Sequence, residues 1–166
     1  MVLDLLFGKP LEDIVIKTIK DWKPRKPKND LSVKRAENYY RDLLKKNLEK
    51  NIDKDKALVY HEKSYTGAGN ADISIEKKQH VPEIIIELKK YSNFQSSEYR
   101  RLTNQINEYC EVKGIQYLFV VFVGDKPNKK LYMNDIKEYV KKKNKEVSTS
   151  LINDFFDDNR IQIFEK

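Results

Sequence analysis

Ala71-Asp72-Ile73-Ser74-Ile75-Glu76-Lys77 and, after five intervening residues, Glu83-Ile84-Ile85-Ile86-Glu87-Leu88-Lys89 are the stretches from which the fold can be read. The first alternates, with Ile73 and Ile75 pointing one way and Asp72 and Ser74 the other, which is the period of a strand. The second carries three consecutive Ile residues, the pattern of a central strand covered on both faces. Joined by the turn region from Lys77 to Pro82, the two form a hairpin with Asp72 on one strand and Glu87 on its neighbour.

Working outward towards the N-terminus, residues 57–65 read as a further strand. The loop Thr66-Gly67-Ala68-Gly69-Asn70 spends two of the five glycines on the turn that joins it to the hairpin. Before it, Val33, Ala36, Tyr40, Leu44 and Leu48 repeat at helical spacing and predict a helix over about 32–50. Glu37 falls inside that apolar stripe, an awkward place for a carboxylate without a partner. Pro10, suited to a first helical position, and Leu11, Ile14, Val15, Ile19 and Trp22 predict another helix over about 10–22, ended by Pro24 and Pro27. Towards the C-terminus, a helix over about 96–112 has Ser96 or Ser97 as its N-cap, Leu102, Ile106 and Tyr109 as its apolar face and Gly114 as its stop. Residues 115–123 are a nearly continuous apolar strand. A helix near 134–143, a helix or irregular turn near 148–157 and a short strand at 161–164 complete the chain. With the 148–157 segment left aside, the order α, α, β, β, β, α, β, α, β predicts an α/β domain with a mixed sheet between helices.

Composition bounds the function. The 166 residues allow one ordinary core, so a single domain over 1–166 is expected. The core lies at about 32–125, a helix and basic connection occupy 1–31, and an extension occupies 126–166. The charged fraction of 36% exceeds the roughly 25% of an average domain, with a net charge of +7. Cys110 is the only cysteine, which excludes an internal disulfide, a four-cysteine zinc site and a cysteine-held iron–sulfur cluster. The only histidines are His61 and His80, too few for a histidine-built metal site, so metal chemistry must run on oxygen ligands. No apolar run approaches the ~20 residues of a membrane span, and no signal-peptide pattern opens the chain, so a soluble cytoplasmic protein with no membrane partner is expected. The positive charge clusters twice. Lys23, Arg25, Lys26 and Lys28 fall within six residues, and eight lysines lie between 126 and 145. Such stripes suit a polyphosphate partner, because each neutralised phosphate releases a condensed counterion. The acidic residues 154, 157 and 158 show that the surface is not all of one sign.

Chemistry concentrates on the hairpin. Glu87 and Lys89, two apart on a strand, share a face at roughly 6 to 7 Å along the backbone. If the register sets Asp72 beside Glu87, two carboxylates converge beside one ammonium group. Their repulsion raises their pKa values unless a cation lies between them, and a hard divalent ion takes such oxygen ligands. Lys89 is then placed to orient or deprotonate a water, or to steady charge growing on an attacked phosphate.

Asp72, followed fifteen positions later by Glu87-Leu88-Lys89 on an apolar strand, resembles the core of the PD-(D/E)xK nuclease superfamily, whose restriction-endonuclease-like fold runs α-β-β-β-α-β. The resemblance implies that Asp72 and Glu87 bind Mg²⁺ or Mn²⁺, that the Leu88 carbonyl adds a ligand, and that Lys89 is the catalytic lysine. Glu37 matches the acidic residue that many members carry on the first core helix. Gln105 and Tyr109 match the QxxxY motif of the RecB-like branch, which lies beside the catalytic site and helps to place the nucleic-acid strand. Arg101, one turn earlier, is positioned to meet a phosphate, and Lys90 joins the nucleic-acid-binding set with Lys23, Arg25, Lys26 and Lys28. Ala71 stands where the motif has its proline, and the cysteines of the cluster-bearing members are absent.

The implied function is metal-dependent hydrolysis of phosphodiester bonds in nucleic acid, DNA before RNA, without a covalent intermediate. One site nicks one strand, and cutting both would need a homodimer. The alternatives are a Holliday-junction resolvase, a catalytically silent nucleic-acid-binding module of the same fold, or a Lys-rich domain with no nucleic-acid role. Each residue also has a plainer reading. Asp72 could close the Gly-rich turn, Glu87 and Lys89 could form a structural ion pair, and Glu37 could pair with Lys34 or Arg41, with Glu62 as a weaker rival for its role. Gln105 could flank an amphipathic stripe, Tyr109 could serve the core alone, Cys110 could be a small buried apolar residue, and the two histidines could be surface or strand-end residues.

Overall fold

A computed structural model describes residues 8–65, 68–77, 82–112, 114–126, 132–150 and 160–166. Among the described residues four α-helices, α1 (Leu11–Asp21), α2 (Val33–Asn51), α3 (Ser96–Glu111) and α4 (Met133–Ser150), accompany five strands: β1 (Ala57–Tyr65), β2 (Ala68–Lys77), β3 (Pro82–Lys90), β4 (Tyr117–Val123) and β5 (Ile161–Glu165). The strands form one sheet in the order β1-β2-β3-β4-β5. β1, β2 and β3 run antiparallel, whereas β3, β4 and β5 run parallel. The chain is thus an α/β domain with an open mixed sheet flanked by helices, in the expected element order.

The consecutive Ile residues of β3 are explained by the two layers that cover the sheet. Ile84, Ile86 and Leu88 pack with Ile73, Ile75, Phe119 and Val121 against Val15 and Ile19 of α1 and Leu44 and Leu48 of α2. Ile85 packs with Val120 and Phe122 against Leu102 and Ile106 of α3 and Ile136 and Val140 of α4. Burying both faces removes more apolar surface from water than either helix layer could alone, and at ~25 cal/mol per Å² this is the main stabilising term. Among the described residues no helix is long and apolar enough to cross a membrane.

Several local expectations change. Ala68, Gly69 and Asn70 belong to β2, because Ala68 pairs with Tyr65 and Asn70 with Ser64. Pro10 stands one residue before α1, where its carbonyl accepts from the Ile14 N–H at 3.3 Å. α3 starts at Ser96, so the cap position falls to Gln95, whose side chain makes no capping bond. α3 ends at Glu111, where Val112 is already extended, so Gly114, with φ +96°, turns the chain after the helix rather than stopping it. α4 outlasts its expected end at 143 because no Gly or Pro interrupts it, and Asn144 then anchors it. The Asn144 side chain donates to the Ile161 carbonyl at 3.0 Å and accepts from the Ile161 N–H at 2.9 Å, pairing the helix to β5 as a strand would. Of the segment 148–157, residues 148–150 are helical and 151–157 lie outside the described residues, as do Thr66, Gly67, residues 78–81 with His80, and the acidic positions 154, 157 and 158. Cys110 is half-buried rather than buried, and burial raises its thiol pKa.

Candidate active site

The ladder between β2 and β3 ends at the pair Ile73↔Ile86, while β3 continues beside β4 as far as Lys90↔Val123. The same point is interrupted on the other side of β2, where the pairing passes from His61↔Ile73 to Lys63↔Ala71 and omits Glu62 and Asp72. Glu62 has φ +50°, a left-handed conformation that a non-glycine residue seldom adopts. The sheet therefore opens around Asp72, and backbone N–H groups of β3 that would have met β2 carbonyls need other acceptors.

Carboxylates supply them. Asp72 Oδ2 accepts from the Leu88 N–H at 2.8 Å, and Glu37 Oε1, reaching over from α2, takes the Lys90 N–H at 3.4 Å. Glu87 Oε1 accepts from the Tyr109 hydroxyl at 2.8 Å and from the Asp72 N–H at 3.4 Å. In an extended strand the N–H and C=O of one residue point to the same side, so the Leu88 carbonyl also projects into the gap beside Asp72. Lys89 Nζ donates to Gln105 Oε1 at 3.0 Å and lies 3.9 Å from Glu87 Oε2. Asp72, Glu87, Lys89, Glu37, Arg101 and Gln105 all line one cleft of about 530 Å³.

The electrostatics follow from burial. Glu87 is 2% exposed. Its carboxyl is pushed up to about 8, first by burial and then by the charge of Asp72, while Lys89 and the Tyr109 hydrogen bond pull the other way. Glu37 is also raised, by burial first, with Lys89 opposing and Asp72 adding to the shift. Burial and the nearby Glu87 charge raise Tyr109. Burial, and after it the charge of Asp72, thus drives Glu87 and Glu37 towards protonation against the pull of Lys89. The carboxylates of Asp72, Glu87 and Glu37, with the Leu88 carbonyl, could supply oxygen ligands to a hard divalent cation, which would reverse those shifts. Among the described residues no three acidic, His or Cys side chains are already gathered into a metal cage.

The plainer readings fare unevenly. Asp72 does more than close a turn, since its carboxylate bonds β3. Tyr109 is buried but is bonded to Glu87. Glu37 pairs with neither Lys34 nor Arg41. Arg41, itself buried, is taken by Glu62 at 2.7 Å and Asp42 at 2.9 Å. His61 is exposed. Lys23, Arg25, Lys26 and Lys28 are exposed and do not line the cleft. Lys34, Asn38, Asn70 and Glu98 line it without having been expected there. Glu98 was legible in principle, because it precedes Arg101 by three positions and Gln105 by seven on one helical face.

The chain matches no family model, no curated protein and no solved structure.

Proposed function

We propose that the chain is a Mg²⁺- or Mn²⁺-dependent nuclease with a restriction-endonuclease-like core of the PD-(D/E)xK type, RecB-like in its QxxxY pair, and that it hydrolyses phosphodiester bonds in DNA. The observation that carries the reading is the meeting of Asp72, Glu87, Lys89, Glu37 and Gln105 around one cleft at the point where β2 leaves β3. These residues come from two strands and two helices, up to 68 positions apart in the chain, and a set of surface charges has no reason to converge so.

Asp72, Glu87 and Glu37, with the Leu88 carbonyl, would hold the cation. Once bound, it would acidify a water and polarise a phosphoryl oxygen. The chain's own groups do the rest. Tyr109 fixes the rotamer of Glu87 and favours its ionised form. Gln105 holds the Lys89 ammonium, which keeps at least one of its three N–H donors for a water or a phosphate oxygen. Water adds to phosphorus and gives up a proton to solvent, the P–O bond to the departing sugar oxygen breaks, and that oxygen takes up a proton from solvent. Throughout, Lys89 offsets the negative charge that grows on the phosphoryl oxygens. Arg101, exposed at the rim, is placed for the neighbouring phosphate.

The test uses an end-labelled duplex oligonucleotide with Mn²⁺, with Mg²⁺ and with EDTA. Cleavage is expected with either metal and not with EDTA, and Glu87→Gln should slow it by at least about 100-fold. Cleavage in EDTA at the wild-type rate would reject the reading.

A further inference from the structure

Two concavities continue from the cleft along the rim formed by the C-terminal ends of β3 and β4. The Lys90 N–H bonded to Glu37 joins the cleft to the first, of about 160 Å³, which Lys28 and Lys90 also line. Lys26, Tyr40 and Gly124 are shared with the second, of about 410 Å³, where Lys23 and Lys126 lie. Among the described residues, six lysines and two carboxylates, Asp30 and Asp125, line this trough. Lys26 is paired with Asp125, and the Lys166 ammonium donates to the Lys20 carbonyl at 2.7 Å. Lys23, Lys28, Lys90 and Lys126 make no ion pair among the described residues, and Asp125, already paired with Lys26, is the carboxylate that Lys90 also acts on, so the ammonium groups outnumber their counter-charges. Mutual repulsion makes that arrangement unfavourable until a regularly spaced anion meets it.

Aromatic content decides which polyanion. Single-strand binders combine a basic groove with exposed rings on which unstacked bases lie. Here Trp22 and Tyr40 are 6% and 4% exposed, forming the floor of the trough rather than a platform, and among the described residues no ring lines the cleft. Such a surface reads phosphates and not bases. We infer that the trough is a docking surface for the backbone of duplex nucleic acid, independent of sequence, which lays one strand across the cleft. The inference rests on the nuclease reading and names the form of its substrate.

The test measures binding in EDTA, where no cleavage is expected, by fluorescence polarisation with a labelled duplex of about 20 base pairs and its single strand over a salt series. The variants are Lys23→Ala/Lys28→Ala/Lys126→Ala and the same triple to Arg. All three positions are exposed and outside the cleft, so unchanged thermal melting checks the fold. The alanine triple should weaken duplex binding at least tenfold and flatten the slope of log K against log salt by about 2 to 3, the arginine triple should restore both, and the single strand should bind at least tenfold more weakly than the duplex. An unchanged affinity and slope in the alanine triple, or a single strand bound as tightly as the duplex, would overturn the inference. Because binding is scored without metal, a trough that binds duplex in a protein that never cuts refutes only the nuclease reading. A cutting protein whose alanine triple binds normally refutes only the trough.

Discussion

Glu87 is the residue on which the account is most exposed to measurement. Its carboxyl is raised from the ordinary 4.5 to about 8, so the folded protein holds that proton more tightly than the unfolded chain does. The stabilisation this brings is complete below the ordinary value and is lost as pH rises through about 8. In EDTA, the melting temperature should therefore fall between about pH 5 and pH 8 more steeply for wild type than for Glu87→Gln, whose side chain does not titrate. Parallel curves would mean that Glu87 is ionised throughout. Metal reverses the logic, because a ligating carboxylate must be deprotonated. Titrating Mn²⁺ into the protein at about pH 7, in two buffers of different ionisation heat, should show proton release that falls in Glu87→Gln. Tyr109→Phe removes a hydrogen bond that favours the ionised form, so it should move the proton-release curve to higher pH while leaving most of the packing intact.

At the scale of elements, the site depends on how firmly α3 is seated on the sheet and on how the chain leaves β4. Ile106 is 1% exposed in the layer between α3 and the sheet, one residue after Gln105. Ile106→Ala should cost about 2–5 kcal/mol by the cavity it leaves, lowering the melting temperature by on the order of 10 °C. Gly124, with φ +93°, turns the chain beside Lys90 at the end of β4. A Cβ there would meet Lys90 Cγ at 3.6 Å, an ordinary contact, so Gly124→Ala should cost only the left-handed backbone penalty of about 1–2 kcal/mol. Thermal melting of the two variants checks both values. Elements of this kind were legible in the sequence because their signals are local: the alternation of β2, the Ile run of β3 and the spacing of Leu102, Ile106 and Tyr109. The opening of the sheet was not. Glu62 carries no glycine or proline to announce a positive φ, and the Arg41 that holds its carboxylate lies 21 positions earlier. Asp72, Glu87 and Lys89 could be read because they sit at fixed spacings on strongly patterned strands. Lys34 and Asn70 could not, since polar residues there look like ordinary surface until the tertiary fold turns them towards the cleft.

In the whole molecule, the cleft and the basic trough share one rim, the edge beyond the C-terminal ends of parallel β3 and β4, where open α/β sheets bind ligands. On the proposed function, one copy with one such cleft among its described residues would break one strand in a single encounter. Cutting both strands at one place requires a second copy. Supercoiled plasmid reports this directly, because one break relaxes the circle and a paired break linearises it. The decisive measurement is therefore the incubation of supercoiled plasmid with wild type, Lys89→Ala and Asp72→Asn, each in Mg²⁺, Mn²⁺ and EDTA. The account predicts open circles before linear product for wild type in either metal, no conversion in EDTA, and at least about a 100-fold loss in both variants with their melting temperatures close to wild type. Plasmid left supercoiled by wild type in both metals, or cut as fast by Lys89→Ala as by wild type, would contradict it.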